Sequence, residues 1–181
     1  IPKAKKQLHR CLEFQQYYFT NVAVDSSSNQ NNGIISGAIK NTEEVCTPVT
    51  FGNCLYFDGN NDHVNLGNTV ATSVRTIEMW FKLKNNINPN LSSFKTLIAR
   101  DITTTNAQEF NIAFVQSSVG SSIAGKIRFA QYDNISNLHA VYSNSNTWNA
   151  GQWYHVAAVI DPLQGMVLFV DGIKQNSTNN F

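Results

Sequence analysis

Charge is scarce in this chain. Lys, Arg, Asp and Glu make up 14% of its 181 residues, where a soluble domain usually carries about 25%. The net charge is only +1, so the basic footprint that nucleic acid or an anionic membrane requires is missing. No apolar run approaches the roughly 20 residues needed to span a bilayer. CxxC is absent and the four His stand isolated, which removes the usual zinc spacings. No segment carries an apolar stripe of helical period with caps, and no internal repeat is visible. The start, IPKAKKQLHR, is basic but has no apolar region after it, unlike a signal peptide. The expectation is that the chain begins after a processed signal or is a piece of something larger, with residues 1–11 a basic leader or linker.

Solubility has to come from neutral polar residues, and Asn and Ser supply it in NQNN, NNINPN, SNSN and NSTNN. Few charges, many Asn and nearby cysteines favour a secreted or cell-surface protein. Of the three cysteines, Cys46 and Cys54 bracket the short loop TPVTFGN. A disulfide between them would staple a loop leading into a strand; the alternative is reduced thiols. Cys11 is left over, either as a buried thiol or as the partner of a cysteine outside this chain. N-x-S/T sequons stand at Asn90, Asn134 and Asn176 and are weak glycosylation candidates in so Asn-rich a chain.

What remains is a series of short strands. Gln152 to Asp171 is the most distinctive stretch: Trp153–Ile160 is aromatic, β-branched or small, Asp161-Pro162-Leu163-Gln164-Gly165 breaks the run, and Met166–Val170 resumes it before the Asp171-Gly172 turn. Such runs suit strands buried on both faces, as in a sandwich core, and this hairpin is expected at its centre. Thr76–Leu83 alternates, with Ile77, Met79, Phe81 and Leu83 facing the core and Glu78, Trp80 and Lys82 facing away. Phe110, Ile112 and Phe114 share one face, as do Ile127 and Phe129, with Lys126 and Arg128 opposite. Shorter strands are expected at Leu12–Phe19, Ile34–Ile39, Leu55–Asp58, His63–Leu66, Lys95–Arg100 and Leu138–Tyr142. Asn, Gly and Ser turns separate them, as in an all-β sandwich.

DSSSNQNNGIISGAI, CLYFDGNNDHVNLG, TIEMWFKL, GQWYHVAAVID and MVLFVDGIKQ occur in an order and spacing that resembles the concanavalin A-like, laminin G-like jelly rolls. The laminin G type 3 group, related to the pentraxins, is the most similar branch, and the resemblance covers about residues 12–176. It implies one domain over 12–181 with two antiparallel sheets packed face to face. It also implies that Trp153 belongs to the core and that His155 is packing rather than chemistry. Such domains run on after the VDG hairpin through further strands, whereas this chain stops at Phe181. The expectation is a C-terminally incomplete sandwich, completed by more of the same polypeptide or by another chain.

Glycosidases of this superfamily place two carboxylates on one strand in a Glu-x-Asp-x-x-Glu arrangement, so that both point into the cleft. The five Glu here, Glu13, Glu43, Glu44, Glu78 and Glu109, do not reproduce it, and no GxSxG appears. The expectation is therefore no enzyme and no catalytic residue. Calcium is the candidate cofactor, since it takes several oxygen ligands. Asp25, Asn29 and Asn31 lie in one oxygen-rich loop, and Asp58, Asn60 and Asp62 in another, where family members often hold an ion. The plainer reading is that Asp25 makes an Asx-turn and Asp58 caps a hairpin. For sugar binding, Trp80, Tyr132, Tyr142 and Trp148 are the aromatic candidates, Trp148 being the most loop-like and its alternative a plug over the end of the sandwich. The resulting expectation is a non-catalytic, lectin-like module recognising glycan or a glycosylated partner. Its alternative is an assembly module of a larger adhesin or filament, making protein contacts.

Overall fold

A computed structural model of the chain describes residues 21–41, 54–67, 75–100, 110–133, 137–161 and 165–178. The expected strand Leu12–Phe19, and with it Cys11, Cys46 and Asn134, lies outside these residues. The chain divides into two compact units, Ile1–Ala71 and Thr72–Phe181.

In the first unit, β1 (Val22–Ala23), β2 (Gly33–Ser36) and β5 (His63–Asn65) form an antiparallel three-stranded sheet, while β3 (Ile39–Asn41) pairs with β4 (Cys54–Tyr56). The strand expected over Ile34–Ile39 is broken at Gly37, whose φ of 77° is accessible to glycine and costly for other residues. A Cβ there would also overlap the Asp62 carboxylate. Cys54 is disulfide-bonded, and its partner lies outside the described residues.

The second unit is an antiparallel two-sheet sandwich of the jelly-roll class. One sheet runs β10 (Leu138–Tyr142), β9 (Ile127–Tyr132), β8 (Phe110–Phe114), β7 (Lys95–Arg100). The other runs β13 (Ile173–Thr178), β12 (Gly165–Val170), β11 (Trp153–Asp161), β6 (Thr76–Lys82). The chain crosses from the second sheet to the first after β6 and returns after β10. The only helical piece among the described residues is the 3₁₀ turn Ser117–Val119.

Alternation puts the core between these sheets. Phe110, Ile112 and Phe114 from β8, Ile127 and Phe129 from β9 and Val141 from β10 meet Tyr154, Val156 and Ala158 from β11 and Met166, Leu168 and Val170 from β12. Ile77, Met79, Phe81 and Leu83 pack against them, as their period predicts. The β11–β6 register fixes which residues of β11 face inward. Phe81 lies opposite Tyr154, Met79 opposite Val156 and Ile77 opposite Ala158. Trp153 and His155 therefore face outward, and the expectation that Trp153 belongs to the core is corrected. Trp153 is half-buried with the Lys82 ammonium 5.1 Å from its ring centroid. Strand β12 is the part of the hairpin that is buried on both faces, at Met166, Val167 and Leu168. At its end Asp171 and Gly172, with φ of 48° and 75°, turn the chain as Asp-Gly predicts.

Trp148 joins the two sheets. It is 3% exposed, with Phe114 edge-on at 5.7 Å and Tyr154 edge-on at 5.2 Å. Its indole N–H donates to the Gly125 carbonyl at 2.9 Å, and its backbone exchanges two hydrogen bonds with Ile87. Tyr154 completes the knot by accepting the Asn149 N–H at its hydroxyl. Ser143, the one buried polar side chain among the described core positions, accepts the Ile127 N–H and donates to the Ser145 carbonyl.

Gly125 makes this approach possible. Its φ is 77°, and a Cβ would overlap the Asn146 carbonyl oxygen and the Asn88 backbone. Gly125→Ala is expected to cost about 2–4 kcal/mol from the left-handed backbone and overpacking together. Gly151, at φ 75° in open space, is expected to cost only about 1 kcal/mol on substitution by Ala. Urea unfolding of the two variants measures the difference.

Candidate functional site

With the core set by alternation, function is left to the outward faces and the loops. On the second sheet, β6 and β11 present a cluster outward. Trp80 lies opposite His155, Lys82 opposite Trp153 and Glu78 opposite Ala157. The Trp80 and His155 rings are 4.9 Å apart and tilted, and His155 Nε2 lies 3.7 Å from Glu78 Oε2. The Asp171 carboxylate accepts the His155 backbone N–H at 2.7 Å, and the Asp171 N–H returns a bond to the His155 carbonyl. These bonds extend the β11–β12 ladder and hold His155 in place beneath Trp80. Trp80 is 48% exposed, a large fraction for an indole in mid-strand. The arrangement offers an aromatic face beside a carboxylate and an imidazole.

The other candidates do not share this face. Tyr132 and Tyr142 lie on the outer face of the first sheet, both half-buried. Tyr142 is the cross-strand neighbour of Arg128, and Tyr132 follows two rows along the same face. Trp148 is in the core with Phe114 and Tyr154 against its ring, so it leaves the ligand surface and is the plug over the sandwich end. Glu78, His155 and Arg128 were not singled out as site residues from the sequence. The alternation that turned Trp80 outward also turns them outward, and it is the signal that could have found them.

The two oxygen-rich loops of the first unit are held by their own turns. Asp25 accepts the Ser27 hydroxyl at 2.7 Å and the Ser27 and Asn31 N–H groups at 2.8 Å each. Asn29 enters the loop through its N–H, which donates to Ser27 Oγ at 3.3 Å. These donors bond both Asp25 oxygens, as an Asx-turn does. In the second loop Asp58 Oδ1 accepts the Asn60 N–H and Asp62 Oδ2 accepts the Asp58 N–H, each at 2.8 Å. Asp58 Oδ2 and Asp62 Oδ1 are not used in these bonds. Among the described residues no three His, Cys, Asp or Glu side chains converge as a metal site. The sequon residues Asn90 and Asn176 are exposed.

No curated protein matches the chain. The Laminin_G_3 family model, described as concanavalin A-like lectin/glucanases superfamily, matches residues 58–181. Among solved structures, the binding domain of Paraclostridial Mosquitocidal Protein 1 superposes with a TM-score of 0.60 at 14% identity, over 86% of this chain and 37% of that one. This chain thus spans well under half of that protein's length, and at such identity the likeness is one of fold. The native heptameric SAP-like pentraxin from Limulus polyphemus gives a TM-score of 0.35 at 21% identity, over 59% of this chain and 45% of that one.

The Asp25 carboxyl is held below the ordinary value of 3.8, first by the Ser27 hydroxyl and then by the Ser27 and Asn31 N–H groups. A depressed folded-state value means that the contribution of Asp25 is present above its unfolded value and is lost as pH falls through the folded one. A carboxyl-detected NMR titration is expected to show Asp25 with a midpoint below 3.8, and Ser27→Ala is expected to raise that midpoint.

Proposed function

The chain belongs to the Laminin_G_3 family of the concanavalin A-like lectin/glucanase superfamily, and from that premise we propose that it is a non-catalytic, lectin-like binding module whose platform is Trp80. The observation that supports this reading is an indole 48% exposed in mid-strand, with His155 and Glu78 beside it on the same outward face. A pyranose presents a C–H face that packs on an indole, and its rim hydroxyls need hydrogen-bond partners. Glu78 accepts from such hydroxyls, and His155 either accepts or donates. The toxin domain with which the fold superposes is described as a binding domain; we take from it only that this fold can present a binding surface. The setting that fits is a secreted or cell-surface protein, recognising glycan or a glycosylated partner.

Bound calcium is a second part of the proposal, and Asp58, Asn60 and Asp62 are the residues that would hold it. Calcium takes 6–8 oxygen ligands, and Asp58 Oδ2 and Asp62 Oδ1 would be the carboxylate contributions. An ion at about 100 times its dissociation constant adds about 2.7 kcal/mol of stability. In a chain of this size that shifts the melting midpoint by about 5–10 °C. Thermal melts with calcium and with chelator are expected to differ by this amount, and equal midpoints would remove the ion.

A glycan array probed with the 181-residue chain, in calcium and in chelator, tests the main reading. Glycan binding that Trp80→Ala weakens by about tenfold, equivalent to about 1.4 kcal/mol, with an unchanged melting midpoint, is the expected result. Absence of glycan binding in both runs together with self-association would favour the assembly module of an adhesin or filament instead.

A further inference from the structure

Among the described residues, the outer face of the first sheet carries a cation, Arg128, without a carboxylate partner. Register places Tyr142, Arg128, Ala113 and Thr96 in one row across the sheet and Ala140, Ala130, Asn111 and Ala99 in the next. Within this face Arg128 Nη2 donates to Asn111 Oδ1 at 3.1 Å, and the guanidinium lies 4.8 Å from the Phe94 ring centroid. Arg128 Nε is buried and has no hydrogen-bond partner. The only other such orphan among the described residues, Gln131 Oε1, belongs to a residue of the opposite parity on β9 and so faces the other way.

A buried donor without an acceptor is destabilising, more so on a charged group. Among the described residues its neighbours on this face are the Phe94 ring, four alanines of which Ala113 and Ala130 are buried, two hydroxyl-bearing residues and one amide, and no carboxylate pairs with Arg128. A guanidinium has a planar fork matched to a carboxylate. We propose that Arg128 is the carboxylate-recognising centre of a second ligand site, distinct from the Trp80 platform, and that its ligand is an acidic saccharide.

Arg128 is partly exposed, and in this proposal the side chain rotates so that its buried Nε–H reaches the ligand's carboxylate. Asn111, Thr96 and Tyr142 supply neutral donors and acceptors for sugar hydroxyls, and Tyr132 adds an aromatic ring two rows away. A peptide captured by strand addition needs a sheet edge. Arg128 sits on β9, an interior strand between β8 and β10, so its ligand lies on the face rather than along an edge. The saccharide half of this inference rests on the binding-module reading, whereas the carboxylate half does not.

Calorimetric titration of the 181-residue chain with D-glucuronate, D-glucose and a pentaglutamate peptide separates the two halves. The expected result is glucuronate binding at least about tenfold tighter than glucose or pentaglutamate, with that preference lost in Arg128→Gln. Arg128→Met is expected to raise the melting midpoint of the unliganded chain, because a buried N–H without an acceptor is replaced by an apolar side chain. A structural role for Arg128 would lower it. Equal binding of glucuronate and glucose would overturn the Arg128 site and leave the lectin reading standing. Tighter binding of pentaglutamate than of either sugar would keep a carboxylate site but overturn its saccharide ligand. Binding of none of the three, or a lowered midpoint in Arg128→Met with binding intact, would overturn the inference outright.

Discussion

The sandwich of the second unit depends on one buried indole. Trp148 touches Phe114 of one sheet and Tyr154 of the other, and its N–H is spent on the Gly125 carbonyl. An indole in an apolar core must find a partner for its N–H, and here the partner is a backbone carbonyl that only a glycine at φ 77° can bring so near. Three loop segments, around residues 87, 125 and 148, are thereby held at one end of the core. Tyr154 is drawn into the same knot through its hydroxyl, which also sets the inward parity of β11.

That parity decides where function can lie. Once Tyr154, Val156 and Ala158 face inward, Trp153 and His155 must face out, and pairing with β6 brings His155 beneath Trp80. The same logic on the first sheet sends Phe129 inward and Arg128 outward, opposite Tyr142. Two outward faces thus carry different chemistry. One offers an exposed ring with a carboxylate and an imidazole, the other a guanidinium with amide and hydroxyl neighbours. Both are carried mid-strand on rigid ladders, which fixes side chains more closely than loops do.

Much of this was legible in the sequence, because strand period is a local property. Alternation alone turns Ile77, Met79, Phe81 and Leu83 inward, and they pack against the core. The Asp171-Gly172 turn and the Asx-turns of Asp25 and Asp58 also follow from local chemistry. Trp148 was harder: SNTWNAG reads as an exposed loop, and its burial depends on Gly125 and Ile87, which are distant in sequence. Trp153 failed for the opposite reason. It begins an uncharged run in which either parity looks apolar, and only the partner strand shows which side is the core. The missing acceptor at Arg128 has no sequence signature, since it depends on what three neighbouring strands fail to provide.

We propose a division of labour between two tryptophans: Trp148 builds the core, while Trp80 meets ligand. Fluorotryptophan labelling of the whole chain, with resonances assigned by Trp80→Phe and Trp153→Phe, tests it by NMR. On adding a glycan found to bind, the account predicts that the Trp80 signal moves and the Trp148 signal stays fixed and shielded from solvent. A ligand-dependent shift of Trp148 with Trp80 unmoved would contradict it.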